Sequence, residues 1–299
     1  MFEAPQAHLQ CRDRRLVLDR PRIAGIINVT PDSFSDGGDH LDPEAAVRHG
    51  LALVAAGADL LDVGGESTRP GAAPVDAASE IARVVPVIRA LAAATSVPIS
   101  VDTSKPEVMR AGVEAGAHLI NDVRALRLPG ALDAAAELGV PVILMHMKGE
   151  PGSMQQDPQY TDVLAEVRQF LADRVLACQF AGIDPKRIVV DPGFGFGKTL
   201  AHNLALLQGL RTLTTLGCPL LVGLSRKRMF AELLGIAEPK ARAHASSVAA
   251  LIAVQRGAML VRTHDVAPVR EALALWAAVG PEAAPKPAKP RLTGLFDDD

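Results

Sequence analysis

The chain has 299 residues, 48% hydrophobic and 22% charged, with a net charge of −3. This is the composition of a globular protein able to bury a sizeable core, and it excludes recognition of nucleic acid or membrane through charge. Cys11, Cys178 and Cys218 are odd in number and far apart, a pattern that makes neither a metal site nor a disulfide framework. With no apolar leader and no run near the ~18 apolar residues of a span, a soluble cytoplasmic protein is expected.

In chain order, residues 12–18 read as a short extra strand, placed to cover the closed bottom of a barrel. Eight apolar runs with strand character come next: 23–27, 59–63, 98–101, 118–120, 140–145, 187–190, 219–224 and 258–261. Each is succeeded by a polar residue or glycine: Asn28, Gly64, Asp102, Asn121, His146, Asp191, Ser225 and Arg262. Alanine- and leucine-rich segments of helical period separate them, among them 43–56, 77–94, 106–114 and 160–180. Asp42 before Pro43 marks a capped helix start, and Ser104 to Glu107 has capping-box spacing.

Strict strand–helix alternation implies a parallel sheet, and eight units in this length predict a (β/α)8 TIM barrel. A doubly wound open sheet is the competing architecture. It is disfavoured because no G-x-G-x-x-G comes after the first strand and because polar residues end all eight strands. Residues 1–280 are expected to form one domain. The proline-rich stretch 281–299 has no pattern and is expected to be disordered.

In a barrel the strand ends converge on one face, so the chemistry belongs there. The loop from Asn28 to Gly38 is too long for a routine connection and mixes amide, carboxylate and hydroxyl groups with Phe34, which suits a lid over a charged ligand. The run ending in Asp62 delivers two glycines and then Thr68, Arg69 and Pro70; an arginine there can fork onto phosphate or carboxylate. Asp102, Asn121 and Asp191 could hold a metal, perform acid–base work, or grip the amidine-like edge of a heterocycle.

D-P-G-F-G-F-G-K-T (191–199) mimics a phosphate loop. Pro192 stands where glycine is needed, so that reading fails, and the glycines instead present Phe194 and Phe196 as an aromatic wall. Lys227 could be a Schiff-base nucleophile, an anion binder or a hydrogen-bond donor to a carbonyl. Arg262 and His264, two apart, share one face of a strand and suit an anion.

Together these segments resemble the dihydropteroate synthase family. N-V-T-P-D-S-F-S-D-G-G (28–38) and D-V-G-G-E-S-T-R-P-G (62–71) match its signatures. V-D-T (101–103), N-D-V (121–123), M-H-M-K-G (145–149), D-P-G-F-G-F-G-K (191–198), S-R-K (225–227) and R-T-H-D-V (262–266) come after them in family order. The resemblance, spanning roughly residues 20–280, implies a homodimeric barrel enzyme. It would join 6-hydroxymethyl-7,8-dihydropterin pyrophosphate to p-aminobenzoate, with Mg²⁺ as cofactor.

By similarity Asp102, Asn121, Asp191 and Lys227 hold the pterin. Asp62, opening the second signature, is counted with the substrate-binding residues. Asn28, Arg69, Arg262 and His264 hold the pyrophosphate, with Mg²⁺ near Asn28, and Thr68, Pro70, Phe34 and Phe196 frame the aminobenzoate. Asp36, Asp102 and Lys227 are the expected catalytic residues. No protein nucleophile is needed, which argues against a Schiff base. A pterin-dependent methyltransferase and a pterin-binding paralogue without turnover are the alternatives.

Three positions depart from the family pattern. Arg228 replaces the usual serine and is expected to pair with the aminobenzoate carboxylate. Arg124-Ala125-Leu126 replaces a glycine-containing turn, and residues 243–247 lack a frequent glycine.

Overall fold

The computed structural model describes residues 8–30, 42–67, 73–150 and 152–280. Phe34, Asp36, Thr68, Arg69 and Pro70, and the tail 281–299, lie outside the described residues.

Instead of one strand before the barrel there are two, β1 (His8–Cys11) and β2 (Arg14–Val17), paired antiparallel. Arg12, in the left-handed region at φ 56°, turns the chain between them. Among the described residues the barrel strands are β3 (Arg22–Asn28), β4 (Leu60–Gly64), β5 (Ile99–Asp102), β6 (Leu119–Asp122), β7 (Val142–Met145), β8 (Ile188–Asp191), β9 (Leu221–Val222) and β10 (Leu260–Thr263). All pair in parallel in the order β8-β7-β6-β5-β4-β3-β10-β9. A single bridge, Val190 to Leu220, joins the two ends, so the sheet closes into a (β/α)8 barrel.

The helices between the strands are α1 (Pro43–Ala56), α2 (Ala77–Ala94), α3 (Pro106–Glu114), α4 (Ala131–Leu138), α5 (Val163–Phe180), α6 (Leu200–Gln208), α7 (Arg228–Leu234), α8 (Ala243–Gln255) and α9 (Val266–Val279). Asp42 caps α1 by accepting from the Glu44 amide, with Pro43 in the first turn. The cap expected at Ser104 is absent. Lys105 holds the cap position without a side-chain bond, because Ser104 Oγ donates instead to the buried Asp122 carboxylate. Helix α5 starts at Val163 rather than residue 160, since Asp162 caps it through the amides of Leu164 and Ala165.

The turn after β6 explains how the chain manages without glycine there. Ala125 and Leu126 both adopt positive φ, 53° and 58°, a costly conformation for residues with a Cβ. Asp122 accepts from the amides of Arg124 and Leu126, each at 2.7 Å. Arg174 donates to the carbonyls of Ala125 and Leu126. Four hydrogen bonds offset the strain.

Along each strand alternate residues face the barrel interior. The lowest interior layer is apolar: Ala24, Leu60, Leu119, Ile143, Val189, Leu221 and Leu260 pack against Leu9, Cys11, Leu16 and Leu18 of the hairpin segment. The hairpin therefore plugs the bottom, as expected of the extra strand. Two residues further along, the same face carries Asp62, Asn121, Asp191 and Arg262 where the layer below has Leu60, Leu119, Val189 and Leu260. The interior changes from hydrocarbon to charge within one strand repeat.

Candidate active site

The upper layer is knit together by Arg262. Its Nε donates to Asp62 Oδ2 at 2.5 Å and its Nη2 to Asp102 Oδ2 at 2.6 Å. Asn121 Nδ2 reaches the same Asp62 oxygen at 3.1 Å. Residues from β4, β5, β6 and β10 thus meet in one network. Asp62 Oδ1 and Ser100 Oγ are buried without a hydrogen-bond partner among the described residues. An orphaned carboxylate oxygen is costly in a folded interior and suits a ligand that brings an N–H donor.

Electrostatics result from crowding acids and bases in one pocket. Burial, then the neighbouring Asp62 carboxylate, pushes the Asp102 carboxyl up to about 8 against the pull of Arg262. Burial raises Asp191 to about 6, opposed by the Gly193 amide and by Lys227. Lys227 is lowered to about 8, chiefly by burial and then by Arg262. The guanidinium of Arg262 moves the other way, because Asp62 and Asp102 outweigh its burial. The site can therefore move between charge states near neutral pH.

Lys227 lies 4.3 Å from the centroid of the Phe196 ring, a cation–π arrangement. Phe196 and Val123 both pack against the cluster of Met145, Met147 and Met154, an apolar wall beside the acids. Phe194 does not share that role. It is 1% exposed and belongs to the main core, so the alternating glycines aim only one of the two rings at the pocket. The methionines were not identified from sequence; M-H-M spacing at the end of β7 was the available signal.

His264 and Asn28 occupy the adjoining rim. Ser225 Oγ is 2.9 Å from His264 Nδ1 and accepts from the His264 amide at 3.1 Å. The other ring nitrogen faces Asn28 Nδ2 at 3.4 Å. Arg226 pairs bidentately with Asp265 at 2.8 and 2.5 Å, which fixes the chain between Ser225 and Lys227 at a left-handed φ of 55°.

Arg228 directly follows Lys227. As the first residue of α7 its side chain is 80% exposed and pairs with Glu232 one turn along at 2.8 Å. The i+4 glutamate gives it a partner at the start of the helix.

A second network was not anticipated from sequence. Lys105 Nζ donates to Glu66 at 2.5 Å and to the fully buried Glu80 at 2.6 Å. Glu66 also accepts from the Val75 amide at 3.1 Å. One carboxylate thereby fastens both flanks of the segment 68–72.

A family model described as pterin binding enzyme matches residues 24–264. Dihydropteroate synthase of Escherichia coli strain K12 is 51% identical over 258 residues, covering 86% of this chain and 91% of that protein. Dihydropteroate synthase of Xanthomonas albilineans, solved with 4-aminobenzoic acid, has a TM-score of 0.88 at 58% identity, covering 94% of this chain and all of the other. The same protein solved with 7,8-dihydropteroate has a TM-score of 0.84 at 55% identity over 93% of this chain and all of that one. The chain belongs to the pterin binding enzymes, within the dihydropteroate synthase family.

Proposed function

We propose that this protein condenses 6-hydroxymethyl-7,8-dihydropterin pyrophosphate with p-aminobenzoate, giving 7,8-dihydropteroate and pyrophosphate in folate biosynthesis. The observation that carries this reading is the set of acids and one amide, Asp62, Asp102, Asn121 and Asp191, facing Lys227 and Arg262 within a single barrel mouth. A pterin presents an amino group and ring N–H donors on one edge and carbonyl and ring-nitrogen acceptors elsewhere. Carboxylates satisfy the first, Asn121 can serve both kinds of edge, and Lys227 donates to the acceptors. Phe196 and the methionines supply a flat apolar face.

The leaving group is a pyrophosphate. Arg262, His264 and Asn28 form the described part of the set that would receive it, and Arg69 would complete it. Loss of pyrophosphate leaves positive charge on the pterin methylene, which the Asp62 carboxylate would stabilise, with Asp102 joining it once deprotonated. The aminobenzoate nitrogen then forms the C–N bond and releases its proton. This order makes the substitution SN1-like, with charge stabilisation as the main contribution of the protein. Water would capture the same cation, so the pocket must be closed before cleavage.

Mg²⁺ fits the residues present. Asn28 offers one hard amide oxygen at the end of β3, and no cluster of three or more His, Cys, Asp or Glu side chains able to hold a metal occurs among the described residues. Such a sparse donor set suits Mg²⁺, which keeps waters and is shared with substrate phosphates. When bound it supplies positive charge to the departing pyrophosphate.

We further propose a homodimer. Leu204 of α6, Leu233 and Leu234 of α7 and Val248 of α8 are exposed apolar side chains on successive outer helices. No helix among the described residues is long and apolar enough to cross a membrane, and all three cysteines are buried and unpaired. A reducing cytoplasm suits that arrangement.

The deciding assay is pyrophosphate release from the dihydropterin pyrophosphate, with aminobenzoate and Mg²⁺ each added or omitted. Release with dihydropteroate formed only when both are present is the expected result. Pterin binding with no release under any condition would replace this reading with that of a non-catalytic pterin binder.

A further inference from the structure

Lys198 is 3% exposed, and its side chain has no part in the chemistry proposed for the pocket. Its Nζ donates to Gly193 O at 2.9 Å and to Phe196 O at 3.1 Å, and lies 2.9 Å from His146 Nδ1. An ammonium has three protons, and here each has an acceptor provided that His146 is neutral with its proton on Nε2. Burial and the Lys198 charge hold the His146 ring down to about 2, so the ring is neutral. Burial also lowers Lys198 to about 7, against the pull of Asp191, so its three acceptors favour the ammonium in a site that otherwise disfavours charge.

The groups gripped by Lys198 belong to a loop without helix or strand. Gly193, Gly195 and Gly197 all have left-handed φ, 67°, 79° and 61°. At Gly193 a Cβ would lie 1.9 Å from the His146 carbonyl oxygen, and at Gly197 2.2 Å from that of Lys148. Two further loop carbonyls are also held by side chains: Gln155 Nε2 donates to Gly195 O, and Tyr160 Oη to Gly197 O at 2.8 Å. The Gly195 amide donates to Asn203 Oδ1 at 2.8 Å. Lys198 ties Gly193 to Phe196, a pair that the Phe196 amide also links by donating to Gly193 O at 3.1 Å. At the beginning the Gly193 amide binds Asp191 Oδ1 at 2.7 Å; near the end Phe196 stands under Lys227.

We infer that Lys198 is a positioning residue for pterin binding: its ammonium fastens residues 193–196 so that Asp191, Phe196 and Lys227 are held at their spacing before substrate arrives. The inference rests on the assignment of those three residues to the pterin. A phosphate loop places its lysine on the ligand; here the lysine points away and holds backbone.

The test uses the full chain with Lys198→Met, Phe196→Ala and the double variant. Binding of pterin-6-carboxylate, an unreactive pterin, is measured by calorimetry, and KM and kcat by steady-state assay. Lys198→Met should weaken pterin binding about tenfold and raise the KM for the dihydropterin pyrophosphate by a similar factor, with kcat within about threefold. In the Phe196→Ala background the same substitution should weaken binding by clearly less than tenfold, because part of its effect passes through Phe196.

Binding by folded Lys198→Met within about twofold of wild type, or effects that simply multiply in the double variant, would overturn the inference. If Lys198→Met does not fold, His146→Leu, which removes one acceptor, replaces it in the same cycle. It should weaken binding about threefold, and unchanged binding would again overturn the inference. Failure of the wild-type chain to bind pterin-6-carboxylate would instead remove the functional assignment beneath it.

Discussion

Asp102 touches a guanidinium at 2.6 Å and is nevertheless raised to about 8, since burial and the Asp62 charge act against ionisation. In the unfolded chain it would titrate near 3.9. Between about pH 4 and pH 8 the folded state therefore holds a proton that the unfolded state has lost, and this residue's contribution to stability falls as pH rises through that window. Asn cannot titrate. The melting temperature of Asp102→Asn relative to wild type should rise from pH 5 to pH 8 and then level; a flat difference in calorimetry would refute the assignment. Glu80 is likewise raised by burial against its cationic partner. It is 0% exposed with Lys105 as its ion-pair partner, so Lys105→Met should destabilise by about 3–5 kcal/mol in urea titrations, more than loss of a surface pair. Arg228→Ala should leave the KM for aminobenzoate within about twofold, as befits an exposed i,i+4 pair. Individual site residues were legible where they ended apolar runs, as with Asp102, Asn121 and Asp191. Lys198 was not, because its partners are backbone carbonyls and a histidine 52 positions away, and a linear motif does not record which way a side chain turns.

Helices were legible when their first turn carried the signal. Asp42-Pro43 set the start of α1, and the predicted limits of α1, α2 and α3 agree with the structure. Ser104 shows the limit of such reasoning: capping-box spacing is local, but a buried carboxylate on the next strand competed for the hydroxyl. The hairpin at the barrel bottom was half legible, since β1 carries only Leu9 and Cys11 as buried residues and is recognisable chiefly by its partner. Its packing is a quantity that can be measured. Leu9 is fully buried against the lowest interior layer, so Leu9→Ala should cost about 2–5 kcal/mol by urea denaturation. Pterin affinity of the folded variant should not change, because the plug and the site occupy opposite ends of the strands.

At the scale of the molecule, the eightfold alternation was enough to predict the barrel, because parallel strands joined by helices have few ways to bury both faces. The association state was implied by resemblance and had no signature in the sequence, because apolar residues on an outer helix read the same whether they face solvent or a second copy. Val248→Glu together with Leu233→Glu should convert a dimer to a monomer in sedimentation velocity; an unchanged coefficient would show that these helices do not form the contact. The closure of the barrel has a kinetic corollary. Between β8 and β9 the sheet is joined by one bridge and by the Val190 amide bonded to Pro219 O at 3.0 Å, whereas β3 and β4 register along five residues. Backbone amides at this seam are the ones that local opening releases first, so hydrogen–deuterium exchange should run faster at Val190 and Val222 than at Ile27 or Val63. The strand that carries Ser225 and Lys227 into the pocket is thus the one most loosely sewn into the wall.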